Sequence, residues 1–180
     1  MGRVVVLLGA PGSGKSTVGE ALGRRGLRWR DREPEILARW GSLAAFAADK
    51  AEALPALHAE IMAWVAEGGA PAVVESTGLS DAPLLDALAR DHDCLVVRLD
   101  VSAAGAAARV AGREAGRQLS DDAGANRAVW QAFHDVVVPS RAVDLVLGTE
   151  VLGPDAVADA VWRSLVAGSD TNERRNELRR

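Results

Sequence analysis

Apolar residues fall along this chain in two alternating textures. Short unbroken runs recur at 4–8 (VVVLL), 72–74, 95–97 and 145–147. Between them, apolar residues return every three or four positions: Leu54, Leu57, Ile61, Trp64 and Val65; Leu84, Leu85 and Leu88; Val157, Val161 and Leu165. Unbroken runs predict strands buried on both faces, as in a parallel sheet, and the spaced stripes predict helices that cover it. Residues 27–30 (LRWR) alternate instead, which predicts an edge strand with one wet face. Ser80 and Ser102 stand where helix N-caps are expected, and Pro154 where a first-turn proline is. The alternation predicts an α/β fold with five strands and helices on both faces of the sheet.

The length of 180 residues suits one domain. Folding a chain of this size hides about 70% of its extended surface, so no disulfide or structural metal is needed. The expected division is a domain over 1–167 and a polar, Arg-rich C-terminal tail over 168–180, frayed and disordered with a weak helical tendency. A net charge of −4 argues against sequence-independent binding to nucleic acid. No run approaches the roughly 20 apolar residues of a membrane helix, and no signal peptide stands out, so the expectation is a cytoplasmic protein without a membrane partner. Cys94, alone in the chain, rules out an internal disulfide and a cysteine zinc site, and is expected to be a buried, inert thiol.

Directly after the first strand comes GAPGSGKST, residues 9–17. It matches G-x-x-x-x-G-K-[ST] with Gly9, Gly14, Lys15 and Ser16, the P-loop pattern. Glycines let backbone N–H groups turn inward, and the following helix aims its positive end at phosphate. The motif assigns Gly12, Ser13, Gly14, Lys15, Ser16 and Thr17 to nucleotide phosphates, with Lys15 at the β- and γ-phosphates and Ser16 on Mg²⁺. A strand precedes the loop and a helical stripe (Val18, Ala21, Leu22) follows it, as the motif requires. No asparagine is followed by lysine, so the guanine-reading N-K-x-D segment of GTPases is missing. A motor ATPase would need more chain.

With these features in order, the chain resembles the shikimate kinase and gluconate kinase group of P-loop kinases. The P-loop carries the resemblance. It is joined by the acidic cluster 31–33 (DRE), Gly41-Ser42 with Phe46 downstream, the series Arg109, Arg113 and Arg117, and the closing segment PSRAVDLVL. The resemblance implies a five-stranded parallel sheet in the order 2-3-1-4-5, a lid about 113–127, use of ATP with Mg²⁺, and phosphate transfer to a hydroxyl of a small molecule. It further implies that Asp31 or Glu33 faces Mg²⁺ or the acceptor, that Arg113 lies near the adenine, and that Arg117 belongs to the lid. Shikimate kinases carry an arginine in the third-helix region where this chain has Leu54 and Pro55, and three glycines where it has Ser76-Thr77-Gly78. That departure implies a different acceptor.

The acids have chemical sense of their own. Asp31 and Glu75 end strands at the carboxyl edge of the sheet, where ligands of open α/β folds bind. A kinase acting on an alcohol needs a carboxylate to orient the hydroxyl and accept its proton. The expected catalytic set is Lys15, Asp31, Glu75 and Arg117, with Ser16 and Asp31 on the metal and Arg109 and Arg113 on the nucleotide. Glu33 also reads as an acid opening a helix. His58 lies on the substrate-side helix. Two other readings stay open: a nucleoside or nucleotide kinase, with Trp40 and Arg39 beside the acceptor, and an ATP-binding regulatory protein without turnover.

Overall fold

The computed structural model describes residues 3–113 and 122–177. Five parallel strands form one sheet in the order β2-β3-β1-β4-β5, as the resemblance implied. Strand β1 (Arg3–Leu8) lies at the centre between β3 (Ala72–Ser76) and β4 (Asp93–Asp100); β2 (Arg28–Trp29) and β5 (Leu145–Gly148) form the edges. The register sets Leu8 opposite Ser76 on one side and Arg98 on the other. The P-loop therefore leaves the carboxyl edge level with the end of β3.

Side chains of β1 alternate between two cores. Val5 and Leu7 join Val18 and Leu22 of α1 (Lys15–Gly23) and Val157, Val161 and Leu165 of α8 (Pro154–Glu177). Val4, Val6 and Leu8 face α3 (Leu43–Ala66) and α4 (Ala82–Asp91) through Val65, Leu84, Leu85 and Leu88. Full burial of each such side chain contributes about 1.5–3 kcal/mol. Phe133 completes this second core from a π-helical turn, Phe133–Val137, that follows α6 (Ala123–Ala132).

A third, small cluster stands apart from the sheet. Phe46 and Ala53 from the first half of α3 and Leu57 just past its middle pack with Ile36 and Trp40 of α2 (Glu33–Trp40), and the Trp40 and Phe46 rings meet edge to face at 5.2 Å. Pro55 divides the 24-residue α3. It removes one helical N–H close to where packing on α2, which continues to Leu57, gives way to packing on the sheet from Ile61. Helices α2 and α3 thus form a cap over the carboxyl edge beside the P-loop.

Several local expectations need correction. The N-cap position of α4 belongs to Asp81, one residue beyond Ser80. Ser102 does cap α5 (Ala103–Ala111), accepting from the Gly105 N–H at 3.0 Å. Cys94 is only half-buried, and its thiol is pushed up to about 11, first by burial and then by Asp93. Pro154 does open α8, whose backbone stays helical through Glu177, across most of the segment read as a tail. Helix α6 and the three-residue α7 (Val138–Ser140) had no counterpart in the sequence reading.

Candidate active site

Helix α1 begins on Gly14, which has φ 90° and offers no side-chain cap. Helices α3, α5 and α6 are capped by Ser42, Ser102 and Asp122. The first-turn N–H groups of α1 are thus left for a ligand, and the helix dipole favours an anion there. Gly12 also has positive φ, and a Cβ on it would stand 2.6 Å from the Ala106 carbonyl oxygen, so the loop can only close on α5 with glycine here. The Lys15 ammonium donates to the Gly9 and Ala10 carbonyls at 2.8 and 3.1 Å. Burial lowers its pKa, and the charge of Glu75 acts the other way. Ser13 Oγ is buried without a hydrogen-bond partner among the described residues. Thr17 is exposed on the first turn.

Glu75 joins three elements. Its carboxylate accepts from Ser16 Oγ at 3.0 Å and from Trp29 Nε1 at 2.6 Å. Trp29 can reach it only because Gly19 lies between them: a Cβ there would stand 2.1 Å from the indole nitrogen. Burial pushes Glu75 above the ordinary carboxylate range, while the bond from Trp29 and the charge of Lys15 pull back. The sign for stability follows. A raised folded value means that the ionised carboxylate costs stability; the cost is absent at low pH and grows as pH rises through the folded pKa. Glu75→Gln should therefore melt above the unaltered protein at about pH 8 and lose that advantage towards about pH 4.5, followed by thermal unfolding across that window. An advantage that stays constant with pH would remove this account of Glu75.

Asp31 and Glu33 enter from the turn after β2. Asp31 Oδ1 accepts from the Glu33 N–H at 3.1 Å, which fixes the turn into α2. Glu33 begins α2, and burial raises its pKa against the opposing charges of Lys15 and Arg113. Asp31, Glu33 and Glu75 border one cavity of about 300 Å³ with Lys15 and Ser16 at its base. His58 of α3 and Arg113 reach the same cavity. A neighbouring cavity of about 260 Å³, between α5 and α6, is walled by alanines and Trp130 and has no carboxylate.

The arginines divide. Arg109 is held inside the protein: it donates to the Gly12 carbonyl at 3.2 Å and to the hydroxyl and carbonyl of Thr149 at 2.8 and 2.6 Å. It ties the P-loop to the loop before α8. Arg113 is exposed and borders both cavities. Arg117 lies outside the described residues, as does the part of the lid from 114 to 121.

The chain matches known proteins over nearly its whole length. A family model, AAA_33 (AAA domain), matches residues 4–140. A shikimate kinase of Thermobifida fusca is 34% identical over 175 residues, 93% of this chain and 97% of that protein. The chain belongs to the AAA_33 P-loop family and to the shikimate kinase group. Two solved structures share the fold. Acinetobacter baumannii shikimate kinase in complex with shikimate has TM-score 0.69 and 17% identity, covering 93% of this chain and 94% of that one. Deoxyadenosine kinase from M. mycoides with bound dATP has TM-score 0.63 and 14% identity, covering 90% and 98%.

This kinase is an ATP-dependent small-molecule phosphotransferase with an alcohol as acceptor. No described helix is long and apolar enough to cross a membrane. Two residues of the kinase's cavity, Lys50 and Asp81, escaped the sequence reading, as did Trp29, which bonds to the cavity residue Glu75. Asp81 had a signal that pointed elsewhere, since an acid at a helix start reads as a dipole partner. Trp29 was read only as part of an edge strand, and nothing in its local sequence announces a bond to Glu75.

Proposed function

We propose that the P-loop holds the ATP phosphates through Lys15 and the open first turn of α1, and that Asp31 orients and deprotonates the acceptor hydroxyl. The observation that carries this reading is the single cavity in which Lys15, Ser16, Asp31, Glu33 and Glu75 converge. Asp31 and Glu33 line the same cavity as Lys15 and Ser16, within which an acceptor would present its oxygen. Glu75 orients Ser16 by accepting its hydroxyl proton.

The residues present suit Mg²⁺. Ser16 and the carboxylates are hard oxygen donors. Mg²⁺ at nucleotide sites is held by one or two protein ligands together with water and phosphate. Ser16 and Asp31 would hold it, and when bound it neutralises charge on the transferring phosphoryl group. The α2–α3 cap and the region about 113–127 would exclude water, which otherwise competes as acceptor. Arg113 and Arg117 would face the phosphates, while Arg109 serves the nucleotide site by fixing the loops around it. ATP use favours a cytoplasmic location.

The test is ADP release from MgATP against pooled alcohols, with a no-acceptor control. At least one pool should raise the rate well above the control. Tight ATP binding with no acceptor-dependent release would favour the regulatory reading instead.

A further inference from the structure

The acceptor half of the cavity has a polar floor that the transfer step does not use. Ser76 ends β3, and its carbonyl accepts from the P-loop Gly9 N–H at 3.2 Å. Its hydroxyl accepts from the Gly78 N–H at 2.7 Å and donates to Asp81 Oδ2 at 2.6 Å. The other oxygen, Asp81 Oδ1, lies 3.3 Å from His58 Nε2. A carboxylate can only accept, so this arrangement places the proton on Nε2. Asp81 is thereby fixed to the P-loop strand on one side and to the cap helix α3 on the other.

Asp81 also occupies the N-cap position of α4 without making a capping bond. Its side chain is turned to the cavity, 24% exposed, with His58 at 14%. A carboxylate offers about four lone-pair sites. Ser76 and His58 take two, which leaves room for donors from a ligand.

The walls around this floor are apolar: Phe46, Leu54, Leu57, Ile61 and Leu84. Among the described residues three guanidinium groups border the cavity, and two of them are engaged with carboxylates of the protein. Arg30 pairs with Glu35, and Arg32 lies 3.5 Å from Glu60 and 4.0 Å from Glu35. These contacts compete with capture of a ligand carboxylate by Arg30 and Arg32, and Arg113 stands where this cavity meets the neighbouring one. Lys50 borders the cavity as a point charge. On the floor itself an anionic substituent would meet the Asp81 carboxylate, a like-charge contact that selects against it there.

We infer that the acceptor is an alcohol with a compact apolar skeleton and a second hydrogen-bond donor, a hydroxyl or an ammonium, received by Asp81, and that Asp81 is a specificity-determining residue held in place by Ser76 and His58. This inference rests on the kinase reading of the same cavity.

Matched alcohols test it: one apolar skeleton carrying a hydroxyl, an ammonium or a carboxylate as second substituent, with shikimate as a further carboxylated compound. ADP release is measured with the full chain and MgATP. The hydroxyl or ammonium member should exceed its carboxylate mate by about 10²-fold in kcat/KM, and the better of the two identifies the donor. Asp81→Asn should erase most of that discrimination, raising acceptor KM more than it lowers kcat. His58→Gln, which can still donate to Asp81, should keep the preference. If a carboxylated member or shikimate is used as well as its mates, the inference falls and the kinase reading stands. Unchanged discrimination in Asp81→Asn overturns it as well. Should that variant fail to fold, the matched series on the unaltered protein decides. If no alcohol in any arm raises ADP release, the kinase reading and the inference fall together.

Discussion

Lys15→Ala should lose about 10²–10³-fold in kcat while remaining folded. The ammonium sits at the base of the cavity, bonded to two loop carbonyls at 2.8 and 3.1 Å. Those carbonyls do not develop charge during transfer, whereas phosphate oxygens do, so the lysine contributes most where charge accumulates. Burial already disfavours its charged form, and removing a desolvated charge offsets part of the two lost bonds. Alanine also suits the first turn of a helix. Steady-state ADP release gives kcat, and thermal unfolding should place the variant within a few degrees of the unaltered protein, roughly the shift that about 1 kcal/mol produces. Near-normal transfer by a folded variant would end the assignment of this loop to phosphate.

Asp31→Asn should cost about 10²–10⁴-fold in kcat. Asparagine keeps the shape and can still accept from the Glu33 N–H, so the turn into α2 survives while the basic oxygen and the negative charge facing Mg²⁺ are lost. Glu33→Gln is the comparison. Burial holds Glu33 above the ordinary carboxylate range, so Glu33 keeps a proton to higher pH. If Asp31 is the base, Glu33→Gln is the milder variant. If Glu33→Gln proves the more damaging, and shifts the acid limb of the pH–rate profile, the base is Glu33 and Asp31 only shapes the turn.

The sheet was legible because each of its strands is written locally. VVVLL can be only a buried strand once GAPGSGKST follows it, and the motif then fixes where the phosphates lie relative to the sheet. Asp31 and Glu75 were legible for a related reason: an acid ending an apolar strand must lie at the carboxyl edge. What stayed hidden depends on pairs far apart in sequence. The bond from Trp29 to Glu75 spans 46 positions and needs a glycine from a third element, Gly19. Asp81 meets His58 across 23 positions. The sequence put His58 on the substrate-side helix, but nothing local says which carboxylate waits there. The cap was also unreadable as a unit. Its small cluster joins α2 to part of α3, and the stripe at Leu54, Leu57 and Ile61 runs through Pro55 without a break in period.

The distribution of primary amines has a practical consequence. The chain has only two lysines, Lys15 and Lys50, and both border the active-site cavity. The rest of its positive charge is carried by arginine. Reagents that acylate or alkylate side-chain amines, harmless decoration on most protein surfaces, would here report on the occupancy of the catalytic cavity. Lysine-directed immobilisation or cross-linking would attach this enzyme to a support through its own active site.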